Sequence, residues 1–325
     1  MGQPPNPVSQ LQQVLNPLQA PGTNRRNYLV NGGFEIWQRG TGPFVTNGAY
    51  WADRWRADIG INTVTGIDLH RMASTISLGA GSGWAASIGI NLGAGAMMRV
   101  GQQIMPGDTL DQLRGRVMTL SARVLPNTLN SIRPVVVGGV MGSTTNPFNT
   151  TNNAQTMWCT FTVPSNETSL YVGFEMANAS SVSQVDEAML VIGSVPADYF
   201  PEQPADEIAR CKRYFEILGD PSTSAVEIAL GQVYGAASGA AATAALIFLR
   251  YVQKPVIPTT TVIGSPSLIS ATGGTIAITS AGGVNTGRNS GGLVCNATGG
   301  GLVAGDATRL YAPSTQQYVT VEANP

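Results

Sequence analysis

Between Val117 and Ile192 the chain alternates apolar and polar residues at a period of two, the pattern of strands with one face in a core. In Leu113–Pro126, Val117, Thr119, Ser121 and Arg123 share one face, and Met118, Leu120, Ala122 and Val124 share the other. Met157, Cys159, Phe161 and Val163 turn inward in the next run, with Trp158, Thr160 and Thr162 outward. Leu170, Val172, Phe174 and Met176 repeat the pattern, and Val185–Ile192 closes the set. Turn signals separate these runs, at Pro106-Gly107-Asp108, Pro126-Asn127 and Pro164-Ser165-Asn166. Short antiparallel strands at this spacing predict a β-sandwich over residues 27–200.

The period changes after Pro201. Ile208, Cys211, Phe215 and Leu218 recur at helical spacing, with Asp206 at the start, so residues 201–218 are expected to form a linking helix. A second, smaller β-domain is expected over 219–325, with strands near 245–252, 258–264, 275–279 and 317–322. Its strands carry almost no charge, and uncovered strand edges invite pairing, so oligomerisation is expected. Residues 1–26 read as an arm broken by prolines. Val8, Leu11, Leu15 and Leu18 form a small stripe suited to docking on another protein.

Composition narrows the function classes. A net charge of -1, with 11% charged residues, supplies no basic field for nucleic acid or anionic membrane. The apolar run Val233–Leu249 is short for a bilayer span, which takes ~20 residues, and reads as a hairpin turning near Ser238-Gly239. MGQPPNPVSQ is neither a secretory signal nor a myristoylation site, so a soluble product made in a cytoplasm is expected. Cys159, Cys211 and Cys295 fit no metal or disulfide pattern and read as buried small hydrophobes.

No catalytic constellation emerges. His70 is the sole histidine and has no nucleophile at a matching spacing. Asp186 and Glu187 are neighbours in a strand, which points them to opposite faces. Glu35 and Asp53 could approach each other, and Asp53 reads as a bridge to Arg54 or Arg56, or as a loop cap. The glycine-rich runs at 79–83, 93–101 and 291–301 open no helix, so they read as loops. No catalytic residue, cofactor or metal site is assigned. Trp37, Tyr50, Trp51, Trp55, Trp84 and Trp158 are candidates for stacking on sugar rings. Trp37 and Trp55 are expected in the core, while Trp51, Trp84 and Trp158 are open to either role.

The stretch LVNGGFEIWQRG followed by YWADRWRA resembles the opening of the jelly-roll domains of tailed-bacteriophage fibre and adhesin proteins. LRGRVMTLSARV, WCTFTVP and the close VDEAMLVIGSVPADYF…IARCKRYFEIL follow in the family's order, with Ile208, Cys211, Arg213, Tyr214 and Phe215 in its last signature. The resemblance covers about residues 27–218. It implies a jelly roll like a carbohydrate-binding module, with Asn27–Trp55 as its first strand and corner. It further implies a virion surface protein, trimeric, docked through residues 1–26 and attached to host glycan. In related modules a glutamate and an aspartate matching Glu35 and Asp186 hold a structural calcium. Two oxygen donors fall short of the six to eight that calcium takes. A capsid decoration protein and a polysaccharide depolymerase are the alternatives.

Overall fold

The computed structural model describes residues 26–324 apart from 47, 62–63, 77–82, 93–96, 108, 145, 178–179, 235–243, 271–274, 285 and 298–301. The arm, Val8–Leu18 stripe included, lies outside these apart from Arg26, as do the hairpin turn at 238–239 and parts of all three glycine-rich runs.

The chain divides into two compact units between Glu207 and Ile208. The first is a jelly-roll sandwich of two five-stranded antiparallel sheets. One sheet joins β1 (Arg56–Ile61), β4 (Met97–Ile104), β9 (Leu170–Ala177), β6 (Ile132–Gly138) and β7 (Gly142–Ser143). The other joins β2 (Val64–Ala73), β3 (Trp84–Leu92), β10 (Ser180–Ile192), β5 (Val117–Pro126) and β8 (Gln155–Thr162). A single turn of helix, α1 (Leu110–Leu113), precedes β5. The core lies between the sheets: Leu69, Ile88, Met118, Leu120 and Leu190 meet Met98, Val100, Val172, Phe174 and Met176.

The edge strand β8 alternates as expected, exposed and buried in turn. Strand β5 keeps the expected faces, but Thr119 and Ser121 on its outward side are buried too. The segment after β10 crosses that side. Met189 and Val191 pack under Ala197, with Tyr199 against them, and Thr119 Oγ1 donates to Gly193 O at 2.7 Å.

The opening stretch is not a first strand, because β1 begins only at Arg56. Residues 27–55 are irregular and are tied to both sheets by side chains. Asn27 Nδ2 donates to Ala188 O at 2.8 Å, and its Oδ1 accepts from Leu190 N at 2.9 Å. Gln102 of β4 accepts from Val30 N at 3.1 Å and donates to Val30 O at 2.5 Å. Asn31 takes positive φ, which asparagine tolerates better than most residues. Its side chain closes a loop by bonding Ile36 N at 2.9 Å and Ile36 O at 2.8 Å, and its carbonyl accepts from Trp55 Nε1 at 2.9 Å. Phe34, Trp37, Trp51 and Trp55 fill the space beneath, with ring centroids 4.5–5.8 Å apart.

The expected helix is shorter than its pattern. α2 spans Pro204–Lys212, and Phe215–Leu218 forms strand β11. Phe215 and Leu218 fit helical spacing, but Phe215 pairs with Glu322 in a sheet that buries it. Tertiary pairing overrides the local pattern here. Ile208 is largely exposed.

The second unit holds a three-stranded sheet and a closed barrel. The sheet orders β11, β19 (Tyr318–Glu322) and β14 (Thr259–Ile263). The barrel orders β12 (Val226–Tyr234), β13 (Ala244–Arg250), β17 (Ser290–Ala297), β16 (Thr275–Val284), β15 (Ser267–Ser270) and β18 (Ala307–Ala312), which returns to β12. Strands β12 and β13 pair as the expected hairpin, through Tyr234↔Ala244. Closure removes the barrel's edges within one chain, so uncovered barrel edges give no reason to oligomerise. All three cysteines are buried and outside any disulfide, and burial pushes the thiols of Cys159 and Cys295 up to about 12. No helix among the described residues is long and apolar enough to cross a membrane.

Candidate functional site

Strand pairing assembles a polar face on the outward side of the β1-β4-β9-β6-β7 sheet. Arg99, Glu175 and Arg133 stand in one row across β4, β9 and β6. Glu175 is buried between the two guanidinium groups. Arg99 Nε donates to its Oε2 at 3.0 Å and Arg133 Nε to its Oε1 at 2.8 Å. Arg133 also lies over the Phe148 ring at 4.3 Å, which fixes its planar group.

The adjacent row is Gly101, Gly173 and Val135, with Arg56 opposite Gly101 on β1. The glycines leave room that Tyr171, on the same face, fills. A β-carbon at Gly101 would come within 2.9 Å of Tyr171 Cζ, so the phenol reaches across β4 toward Arg56. Tyr171 is 8% exposed, and its hydroxyl is buried with no hydrogen-bond partner. Burial raises its pKa well above the usual tyrosine value; the charge of Asp58 adds to this, while Arg99 and Arg56 oppose it. Arg56 Nη2 donates to Asp58 at 3.3 Å, while Arg56 Nε is buried without a partner. Two buried groups that can donate are therefore left unsatisfied on this face. Arg54 supports the same corner from below, donating to Gln103 O at 2.6 Å.

The aromatic candidates sort differently. Trp37, Trp51 and Trp55 are core residues. Tyr50 lies under the Arg39 guanidinium at 5.4 Å. Trp158 is 53% exposed on the opposite sheet, and Trp84 is 36% exposed with Arg71 over its ring at 4.1 Å. His70 pairs with Asp68 at 2.9 Å on an exposed strand position.

The carboxylate candidates are engaged in structure. Asp53 is buried against Gln38 Nε2 at 2.5 Å and Arg39 Nη1 at 3.6 Å. The alternation expected at Asp186 and Glu187 is broken by a bulge, where the register shifts between Asp186 and Met189 and Glu187 takes φ 53°. Both residues are buried as a result. Burial and the charges of Glu207, Asp186, Glu35 and Glu187 together raise the Tyr199 pKa. Asp186 accepts from Ser74 Oγ at 2.5 Å and Glu187 N at 2.7 Å, and Glu35 accepts from Gly83 N at 2.9 Å. Among the described residues no group of three or more His, Cys, Asp and Glu side chains could hold a metal ion.

Sequence reasoning missed the Arg99, Glu175, Arg133 and Tyr171 face. Its one local sign was the outward phase of the Leu170–Met176 alternation, which carries Tyr171 and Glu175.

No family model and no curated protein matches the chain. Among solved structures it is similar to the enzymatically active domain of bacteriophage CBA120 tailspike protein 4, at 11% identity and a TM-score of 0.36. That match covers 51% of this chain and only 21% of the tailspike domain. TmCBM61, solved in complex with beta-1,4-galactotriose, is similar at 12% identity and a TM-score of 0.32, over 52% of this chain and 99% of that one. The tandem CBM22-1-CBM22-2 domain of Paenibacillus barcinonensis Xyn10C is similar at 12% identity and a TM-score of 0.35, over 94% of this chain and 97% of that one.

Proposed function

We propose that the sandwich is a non-catalytic glycan-binding domain, carried by a virion surface protein that attaches a tailed phage to its host. The observation that carries the binding role is the outward row Arg99–Glu175–Arg133 beside the unpartnered Tyr171 hydroxyl. Polar groups held rigid on strands, with unspent donors, suit the hydroxyl-rich surface of a sugar. The virion role is supported by the order of the NGGFE, ADRW and CKRYF motifs. Residues 1–26 are the proposed anchor to another virion protein. Self-assembly, as a trimer, is supported by Leu230 and Phe248, which stand 62% and 54% exposed on the neighbouring strands β12 and β13. Open hollows of about 330 and 460 Å³ flank Phe248.

Retention of the purified full chain on host-cell polysaccharide tests the binding role. Retention without release of reducing ends is the expected result. Release of reducing ends would replace it with a depolymerase, and no retention on any host polysaccharide would favour a capsid decoration protein.

A further inference from the structure

Resting on the glycan-binding reading, we propose that the sugar taken by this face is acidic. Its carboxylate would seat on the Tyr171 hydroxyl, between Arg56 and Arg99. Three features of the face select that chemistry over a neutral sugar.

The first is the identity of the unspent groups. Tyr171 Oη and Arg56 Nε are both buried and unpartnered, and Arg99 donates to the protein through Nε alone. A buried donor without an acceptor is costly and is rarely left so. A carboxylate is an acceptor with two oxygens, and it satisfies a tyrosine hydroxyl and a guanidinium fork together. A neutral hydroxyl brings its own hydrogen, which needs an acceptor in turn. The second is charge. Arg56, Arg99 and Arg133 face Asp58 and Glu175, leaving a cationic surplus on one face of a chain whose net charge is -1. The third is the absence of a broad platform. The exposed tryptophans Trp84 and Trp158 belong to the other sheet, so stacking on a neutral ring has little to work with here.

Arg56 and Asp58 stand opposite Gly101 and Arg99 on the edge strand β1. Both side chains are partly exposed and joined at 3.3 Å, so a ligand carboxylate can take the place of Asp58 on Arg56 at small cost.

The test is an array of polysaccharides containing galacturonic, glucuronic or sialic acid, each beside its carboxyl-reduced counterpart, probed with the full chain. Binding is expected to at least one acidic member and to fall about tenfold or more on its reduced partner. It should also weaken as salt rises from 50 to 500 mM. Tyr171→Phe and Arg99→Gln should each lower that affinity about tenfold. Tyr171→Phe removes a hydroxyl with no partner in the protein, so its thermal midpoint should hold or rise, which separates lost binding from lost folding. Binding that survives carboxyl reduction, or hits confined to neutral or sulfated sugars, overturns this inference while the glycan-binding reading stands. A blank array overturns both. Loss of binding in Trp158→Ala with none in Tyr171→Phe moves the site to the other sheet and overturns the assignment to Tyr171.

Discussion

In the sandwich, long irregular segments are pinned by buried polar side chains, whereas the barrel, among the described residues, has fewer such pins and holds its strands by closing on itself. Asn27, Asn31 and Gln102 fix the opening stretch. Asn149 accepts from Ser131 N at 2.8 Å and Ile132 N at 3.0 Å, fixing the entry to β6. Glu167 is buried and accepts from Val140, Met141 and Thr168 N at 2.8–3.0 Å. In the second unit the prominent buried polar contact is Lys254 with Glu216 at 3.2 Å and the Lys212 carbonyl. The contrast explains where recognisable motifs sit. A side chain that must satisfy several backbone groups at once tolerates few replacements, so irregular backbone writes a legible signature. A ladder needs only apolar residues in phase. The NGGF stretch is such a signature, and its residues build a corner rather than a binding surface.

The comparison is broken most severely at Asn31. Asn31→Ala strips partners from Ile36 N–H and C=O in a part-buried loop and should cost about 2–4 kcal/mol. Denaturant unfolding followed by tryptophan fluorescence, which reads the sandwich alone because all five tryptophans lie in it, and by circular dichroism, which reads both units, should show that loss in the sandwich transition while the barrel transition stays put. A shared shift would mean the two units unfold together. Lys254→Met tests the buried ion pair of the second unit, which joins β11 of the three-stranded sheet to the chain after β13. The substitution takes the cation from the buried Glu216 and leaves that carboxylate the Val252 N–H, so about 3 kcal/mol should be lost from the second transition alone. Glu167 gives the smallest effect and one that pH switches. Burial would raise its pKa, but the N–H groups of Val140, Met141, Thr168 and Ser169 outweigh this and hold it below the usual glutamate value. A lowered folded pKa means the stabilisation is complete above the ordinary glutamate range and is lost as pH falls through the folded value. Glu167→Gln should therefore cost about 1–2 kcal/mol at pH 7 and progressively less in acid. A cost that is flat from pH 7 to pH 3 would show that the carboxylate charge is not what the loop uses.

The same physics decides how much was legible in the sequence. Strand β8 could be read residue by residue because its outward face meets solvent. On β5 the phase was right and the exposure wrong, since Thr119 and Ser121 lie under residues 193–199, and no local pattern announces a distant segment. Trp51 stayed ambiguous because an aromatic beside acids reads equally as a platform or a wedge, and only its stacking near Phe34 decides. The end of α2 failed because Phe215 and Leu218 fit two periods, and pairing with β19 chose between them. The polar face was illegible for a simpler reason. Arg99, Arg133 and Glu175 carry no shared motif and are 76 and 42 residues apart in their pairs, so register alone brings them together.

The clamp at Asn27 has a mechanical consequence. Where the described chain enters the sandwich, Tyr28 N bonds Leu190 O at 2.9 Å, Ala188 N bonds Gly32 O at 2.9 Å, and the Asn27 amide bonds both Ala188 and Leu190. A pull on residues before 27 meets these bonds before it meets the apolar core. They stretch side by side rather than one after another, so tension is shared among them, and they anchor to β10, a central strand of its sheet. A tether leaving the domain there would transmit drag into the middle of the β2-β3-β10-β5-β8 sheet rather than peel a strand from its rim.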